Sequence, residues 1–95
     1  MIVESALISI RPGSEPDFEA AYAAAVGFLT ASGGYIAHEL RRSIEAPNRY
    51  LLTVQWRMLE DHTLGFRGSP AFTSWRALLG PFFAEPPAVE HFRDL

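Results

Sequence analysis

The sequence predicts an α+β fold in which two helices cover one face of a four-stranded antiparallel sheet. Three observations carry this reading. Hydrophobic periodicity runs along the chain as strand, helix, strand, strand, helix, strand. Turn chemistry rich in Gly and Pro falls at the changes between them. The 95 residues are too few for two independent cores, so residues 1–95 form a single domain.

Residues 2–10, IVESALISI, mix β-branched and aliphatic side chains in near alternation, and RPG ends them as a first strand. Ser14 followed by Asp17 matches the S-x-x-[DE] capping pattern, and Pro16 falls in the first turn, where its missing N–H is harmless. The helix that starts there carries Phe18, Tyr22, Ala25 and Leu29 on one stripe, with Ala21 and Phe28 beside it. Gly33 and Gly34 are expected to end it.

Residues 35–44, YIAHELRRSI, alternate again. The alternation assigns Ile36, His38, Leu40, Arg42 and Ile44 to one face and Tyr35, Ala37, Glu39, Arg41 and Ser43 to the other. EAPN turns the chain into residues 49–57, RYLLTVQWR, whose apolar face is Tyr50, Leu52, Val54 and Trp56. Residues 59–66 make a short helical turn that Gly65 and Gly68 interrupt. Ser69 then caps a second helix, opened by Pro70 and running to Leu79. Gly80-Pro81 stop it, and EPP leads into a last strand, AVEHFRD, at residues 88–94.

The order β-α-β-β-α-β is that of the split βαβ, or ferredoxin-like, plait. Such a plait leaves one sheet face without intramolecular cover. Hydrophobic residues make up 48% of the chain, generous for so small a domain, so a second copy is expected on that face as a homodimer. The net charge of −3 argues against a nucleic-acid partner, which calls for a concentrated basic footprint. No cysteine means no disulfide framework and no thiolate chemistry, which suits a cytoplasmic protein. MIVESALISI lacks the basic start and small-residue cleavage site of a signal peptide, and no apolar run approaches bilayer length, so no membrane partner is expected.

Four segments carry a family resemblance: a strand ending in Trp (YLLTVQW, 50–56), an acidic-His turn after it (LEDH, 59–62), S-P-x-F-x-x-W (69–75), and V-x-H-F (89–92). In this order and at this length the chain resembles the antibiotic biosynthesis monooxygenase (ABM) domain, a dimeric α+β barrel. The resemblance implies a pocket in each subunit between sheet and helices. Some members of the family oxidise polyketide aromatics such as anthrones to quinones without flavin, haem or metal; others degrade haem. Here Phe66 falls where haem-degrading relatives have a Trp, and Trp75 near their haem-ligating His, so haem breakdown is not expected. The resemblance thus implies a cofactor-independent monooxygenase acting on a small aromatic or polyketide-like substrate. The alternative is a non-catalytic dimeric small-molecule-binding or interaction domain.

Histidine is the natural base near neutral pH, and His38, His62 and His91 are the candidates. The alternation places His38 among apolar side chains, with His91 of the last strand expected near it. His62 follows Trp56 in the helical turn. No H-x-x-x-H spacing suggests a metal. Phe66 and Trp75, on the broken helical segment, are expected to border an aromatic pocket. Trp56 is assigned chiefly to the core, with pocket lining as its second role, and Phe72 to packing. Tyr22 is the better placed of Tyr22 and Tyr35 to donate a hydroxyl to a bound oxyanion. For Arg41 and Arg42, solvated or interface ion pairs are the expected role.

Overall fold

The computed structural model describes residues 1–95, with elements in the predicted order. β1 (Ile2–Ser9) and α1 (Glu15–Thr30) are followed by the hairpin of β2 (Tyr35–Arg42) and β3 (Arg49–Trp56). A wide π-type turn, Asp61–Phe66, precedes α2 (Pro70–Leu79), and β4 (Ala88–Arg93) closes the chain. The sheet is antiparallel throughout, in the order β2-β3-β1-β4.

Inward positions of the strands meet the helices. Ala6, Ile8, Tyr50, Leu52, Val54 and Trp56 are buried from the sheet, and Phe18, Tyr22, Ala25 and Leu29 from α1, along the stripe that the 3.6-residue period predicts. The Tyr50 hydroxyl donates to Glu19 Oε2 at 2.7 Å, tying β3 to α1 at the edge of this core. The opposite sheet face has no helix over it. The strand registers place Val3 beside Phe92 and Leu7 beside Leu51 there, with Ser5, Thr53 and Glu90 between the two pairs and with Leu7 and Phe92 exposed at 42% and 50%.

Four local expectations need correction. The α1 capping pattern does not close: the Ser14 side chain caps nothing, and Glu15 Oε2 instead accepts from the Gly13 N–H at 2.8 Å. The helix ends at Thr30, before the glycines, and Gly34 serves the turn into β2 with φ +83°. A bulge between Tyr35 and Ala37 breaks the alternation of β2. Tyr35 therefore joins His38 on one face, its hydroxyl 2.6 Å from His38 Nδ1, while Ile36 turns to solvent. Finally, β2 and β4 lie at opposite edges of the sheet, so His91 is remote from His38.

The α2 cap forms as the sequence predicts. Ser69 Oγ accepts from the Phe72 N–H at 3.2 Å and donates to the Phe66 carbonyl at 2.6 Å, with Pro70 in the first turn. Gly68 makes the preceding turn tight enough, since a Cβ there would lie 2.5 Å from the Leu64 carbonyl oxygen.

Candidate functional site

The alternation of β1 that buries Ala6 and Ile8 also turns Glu4 inward, where it is only 7% exposed. A carboxylate so placed needs partners. Trp56, at the end of β3, donates its indole N–H to Glu4 Oε1 at 3.0 Å. Next to Trp56 the π-type turn delivers His62, whose imidazole stacks on the indole with ring centres 5.4 Å apart and planes 20° from parallel. The turn closes with an i→i+5 hydrogen bond from the Arg67 N–H to the His62 carbonyl at 3.1 Å, a geometry that sends both His62 and Phe66 into the interior.

His62 Nε2 lies 3.3 Å from Glu4 Oε1, and its Nδ1 lies 2.8 Å from Nε2 of His91. His91 reaches this point because β4 pairs with β1 so that it sits directly opposite Glu4. Glu4, His62 and His91 therefore form a row, with the carboxylate and the second imidazole on opposite nitrogens of the central ring. With Nε2–H directed to an ionised Glu4, His62 Nδ1 is an acceptor and His91 is the donor between the rings.

Burial sets the proton affinities. Desolvation holds Glu4 above the ordinary carboxylate range, against the opposing Trp56 hydrogen bond and the Arg67 charge. Desolvation lowers His62 to about 4, helped by the charges of Arg67 and His91. His91 is lowered in the same way, by burial and then by Arg67. Removal from water thus favours the neutral form of each group.

The row ends at a cleft of about 820 Å³ bordered by Glu4, His62, Phe66, Arg67, Phe72 and Arg76, with the segment Gly80 to Pro87 as its far wall. Glu4 Oε2 has no hydrogen-bond partner in the protein, and neither Arg67 nor Arg76 forms a salt bridge. The cleft is therefore a largely apolar space with two carboxylates, Glu4 and Glu85, an imidazole and two unpaired guanidinium groups on its walls.

The sequence-predicted residues divide. His62, His91 and Phe66 come together at the cleft or directly behind it, and Trp56 forms the floor beneath Glu4 and His62 without reaching the surface. Phe72, assigned to packing, borders the cleft, whereas Trp75, expected on its border, packs between Tyr22 and Phe66 with ring centres 5.8 and 5.9 Å away. His38 and Tyr22, 6.1 Å apart by ring centres, lie on the β2 side and do not border the cleft. The Tyr22 hydroxyl is buried there without a partner, and burial raises its pKa well above the phenol range. Arg41 pairs with Glu39, and Arg42 lies within 3.7 Å of Glu15 and 3.6 Å of Glu19, so both are engaged away from the cleft.

Sequence reasoning missed Glu4, Arg67 and Arg76. The signal for Glu4 was available, as a charged residue at an inward position of an otherwise apolar row. None exists for the arginines, whose convergence depends on how the π-type turn and α2 pack.

Plait and buried acid–base row together define a small α+β domain with an acid–base cleft between sheet and α2. Comparison with known proteins makes this specific. The family model for antibiotic biosynthesis monooxygenase matches residues 1–78, and the chain belongs to that family. It is 44% identical over its full length to the uncharacterized protein YczJ of Bacillus subtilis (strain 168), which it also covers completely. It is similar to a crystal structure described as a "putative antibiotic biosynthesis monooxygenase" from Bordetella bronchiseptica, at 45% identity and TM-score 0.95, over 99% of this chain and 96% of that one. The fold alone is shared with SnoaB, a cofactor-independent oxygenase from Streptomyces nogalater, at 17% identity and TM-score 0.83, over 98% of this chain and 91% of that one. No helix of the chain is long and apolar enough to cross a membrane.

Proposed function

We propose that this chain is a cofactor-independent monooxygenase of a planar, weakly acidic aromatic substrate of the anthrone or quinol kind, held in the cleft. One observation carries the proposal: a desolvated Glu4–His62–His91 row ends in a carboxylate oxygen free to meet a ligand, on the wall of an aromatic cleft. A carboxylate whose pKa is raised is a stronger base when ionised, which is what abstraction from a weakly acidic carbon or hydroxyl requires. Phe66 and Phe72, whose planes are 78° apart, offer a face and an edge to a flat ring system. The unpaired Arg67 stabilises the anion that deprotonation creates.

The chemistry needs no outside reductant. Glu4 removes a proton from the activated ring methylene, and the carbanion adds to O₂ to give a peroxide, which takes the proton back. Removal of the second C–H proton then breaks the O–O bond, forming a carbonyl and releasing hydroxide that is protonated to water. The carbon loses four electrons and O₂ gains four, with one oxygen atom in the product and one in water. His62 holds Glu4 in place through its Nε2–H and is itself held by His91; His38, held by Tyr35 elsewhere in the fold, takes no part.

The working unit in this reading is a cytoplasmic homodimer, with a second copy over the bare sheet face. The apolar pairs Val3–Phe92 and Leu7–Leu51 on that face support it.

The test is oxygen uptake with anthrone, following the quinone by absorbance. Glu4→Gln keeps the shape of the side chain and an acceptor for Trp56, and is expected to lower turnover by about 10²–10⁴-fold. Unchanged turnover in Glu4→Gln removes Glu4 as the base. Wild-type protein that binds aromatics but consumes no oxygen is a binding domain instead.

A further inference from the structure

The two cleft arginines differ in what they touch. Arg67 follows directly on the turn that carries His62, its backbone N–H donating to the His62 carbonyl at 3.1 Å. Arg76 lies in the last turn of α2. It extends from α2 with its guanidinium 5.9 Å from the ring centre of Phe72, another residue of the cleft wall, and it makes no salt bridge. The one further carboxylate on the cleft wall, Glu85, is not paired with it. A guanidinium resting beside an aromatic wall without an anion is suited to the planar fork of a carboxylate.

The geometry points to a substrate that carries a carboxylate group, bound by Arg76, while its ring system lies against Phe72 and Phe66 and its acidic position faces Glu4. The inference rests on the reading of this cleft as the substrate site and adds the substrate's charge. It divides the two cations by role. Arg76 holds a charge present before reaction and contributes to binding, whereas Arg67 meets the charge that deprotonation creates. Recognition at one end also fixes which ring position reaches the base. Arg76 is in these terms a specificity-determining residue.

The experiment uses a matched pair of probes already at the quinone level, anthraquinone-2-carboxylate and anthraquinone-2-carboxamide, with affinities from titration calorimetry at low and high salt. Wild-type protein is expected to bind the carboxylate about tenfold more tightly or better, with the preference shrinking as salt rises. In Arg76→Gln the two probes should bind alike, at the wild-type carboxamide affinity, and Arg76→Lys should restore part of the preference. Arg76 is exposed, so circular dichroism should show both variants folded as the wild type. Equal affinities in the wild type overturn the inference, as does a preference lost in Arg67→Gln but kept in Arg76→Gln. The probes cannot be oxidised further, so the result is independent of turnover. Discrimination without oxygen uptake from anthrone would refute the proposed reaction alone, and uptake without discrimination would refute the recognition alone.

Discussion

Lowering the pH should destabilise this protein through His62, and the size of the effect follows from its burial. In the unfolded chain a histidine titrates near 6.5, whereas in the fold His62 titrates at about 4, because desolvation, then the charges of Arg67 and His91, disfavour its imidazolium. Between these values the unfolded chain binds the extra proton and the folded one does not. Stability contributed by neutral His62 is thus complete above pH 6.5 and is lost as pH falls towards 4. At pH 4.5 the linkage gives a loss of about 2.5 kcal/mol. At about 2.1 cal/mol/K of unfolding entropy per residue, this is a fall in Tm of about 12 °C for 95 residues. Glu4 acts in the opposite sense: its raised folded pKa means that stability falls as pH rises from its unfolded value, so the wild-type profile alone mixes the two.

His62→Phe separates them, because the phenyl ring can keep the stack on Trp56 while removing the titration. Thermal and urea melts of both proteins from pH 7.5 to 4.5 should show the wild type losing about 2.5 kcal/mol relative to the variant. A constant difference across that range would mean that His62 does not titrate as a desolvated group. The buried acid–base row would then be wrong.

Gly34→Ala should destabilise the fold by about 2 kcal/mol or more in urea, because φ +83° is strained for a side chain and the new Cβ would overlap the Asp61 carboxylate, which accepts from the Met58 N–H. A change within about 0.5 kcal/mol would show that this turn relaxes freely. Leu7→Glu, on the bare sheet face, should convert the proposed dimer to single chains in sedimentation velocity, since a carboxylate cannot be buried there unpaired. Wild-type protein that already sediments as a single chain would remove the dimer.

Local chemistry made much of the fold legible. Ser69 and Pro70 have only one good use, the start of a helix, and the stripe from Phe18 to Leu29 has only one way to hide from water. The apolar row from Tyr50 to Trp56 likewise fixed which face of β3 is inward. Alternation failed in β2 because a bulge inserts one residue, and nothing in the side chains of Tyr35, Ile36 and Ala37 announces a change of backbone register.

The functional residues divide on the same line. By itself the sequence determined that the apolar stripes of α1 and β3 would meet in one helix-covered core, because periodicity dictates which side chains leave water. It could not determine which histidines meet. Glu4, His62 and His91 come from the first strand, a turn and the last strand, and their row exists only because β4 pairs beside β1 and the π-type turn folds over Trp56. Likewise, a side chain expected at the pocket, Trp75, is held in the core by Tyr22 and Phe66, while Phe72, three residues earlier, reaches the cleft. Contacts between segments distant in sequence depend on strand order and helix rotation. Those are settled by packing the whole chain at once, and no local pattern encodes them.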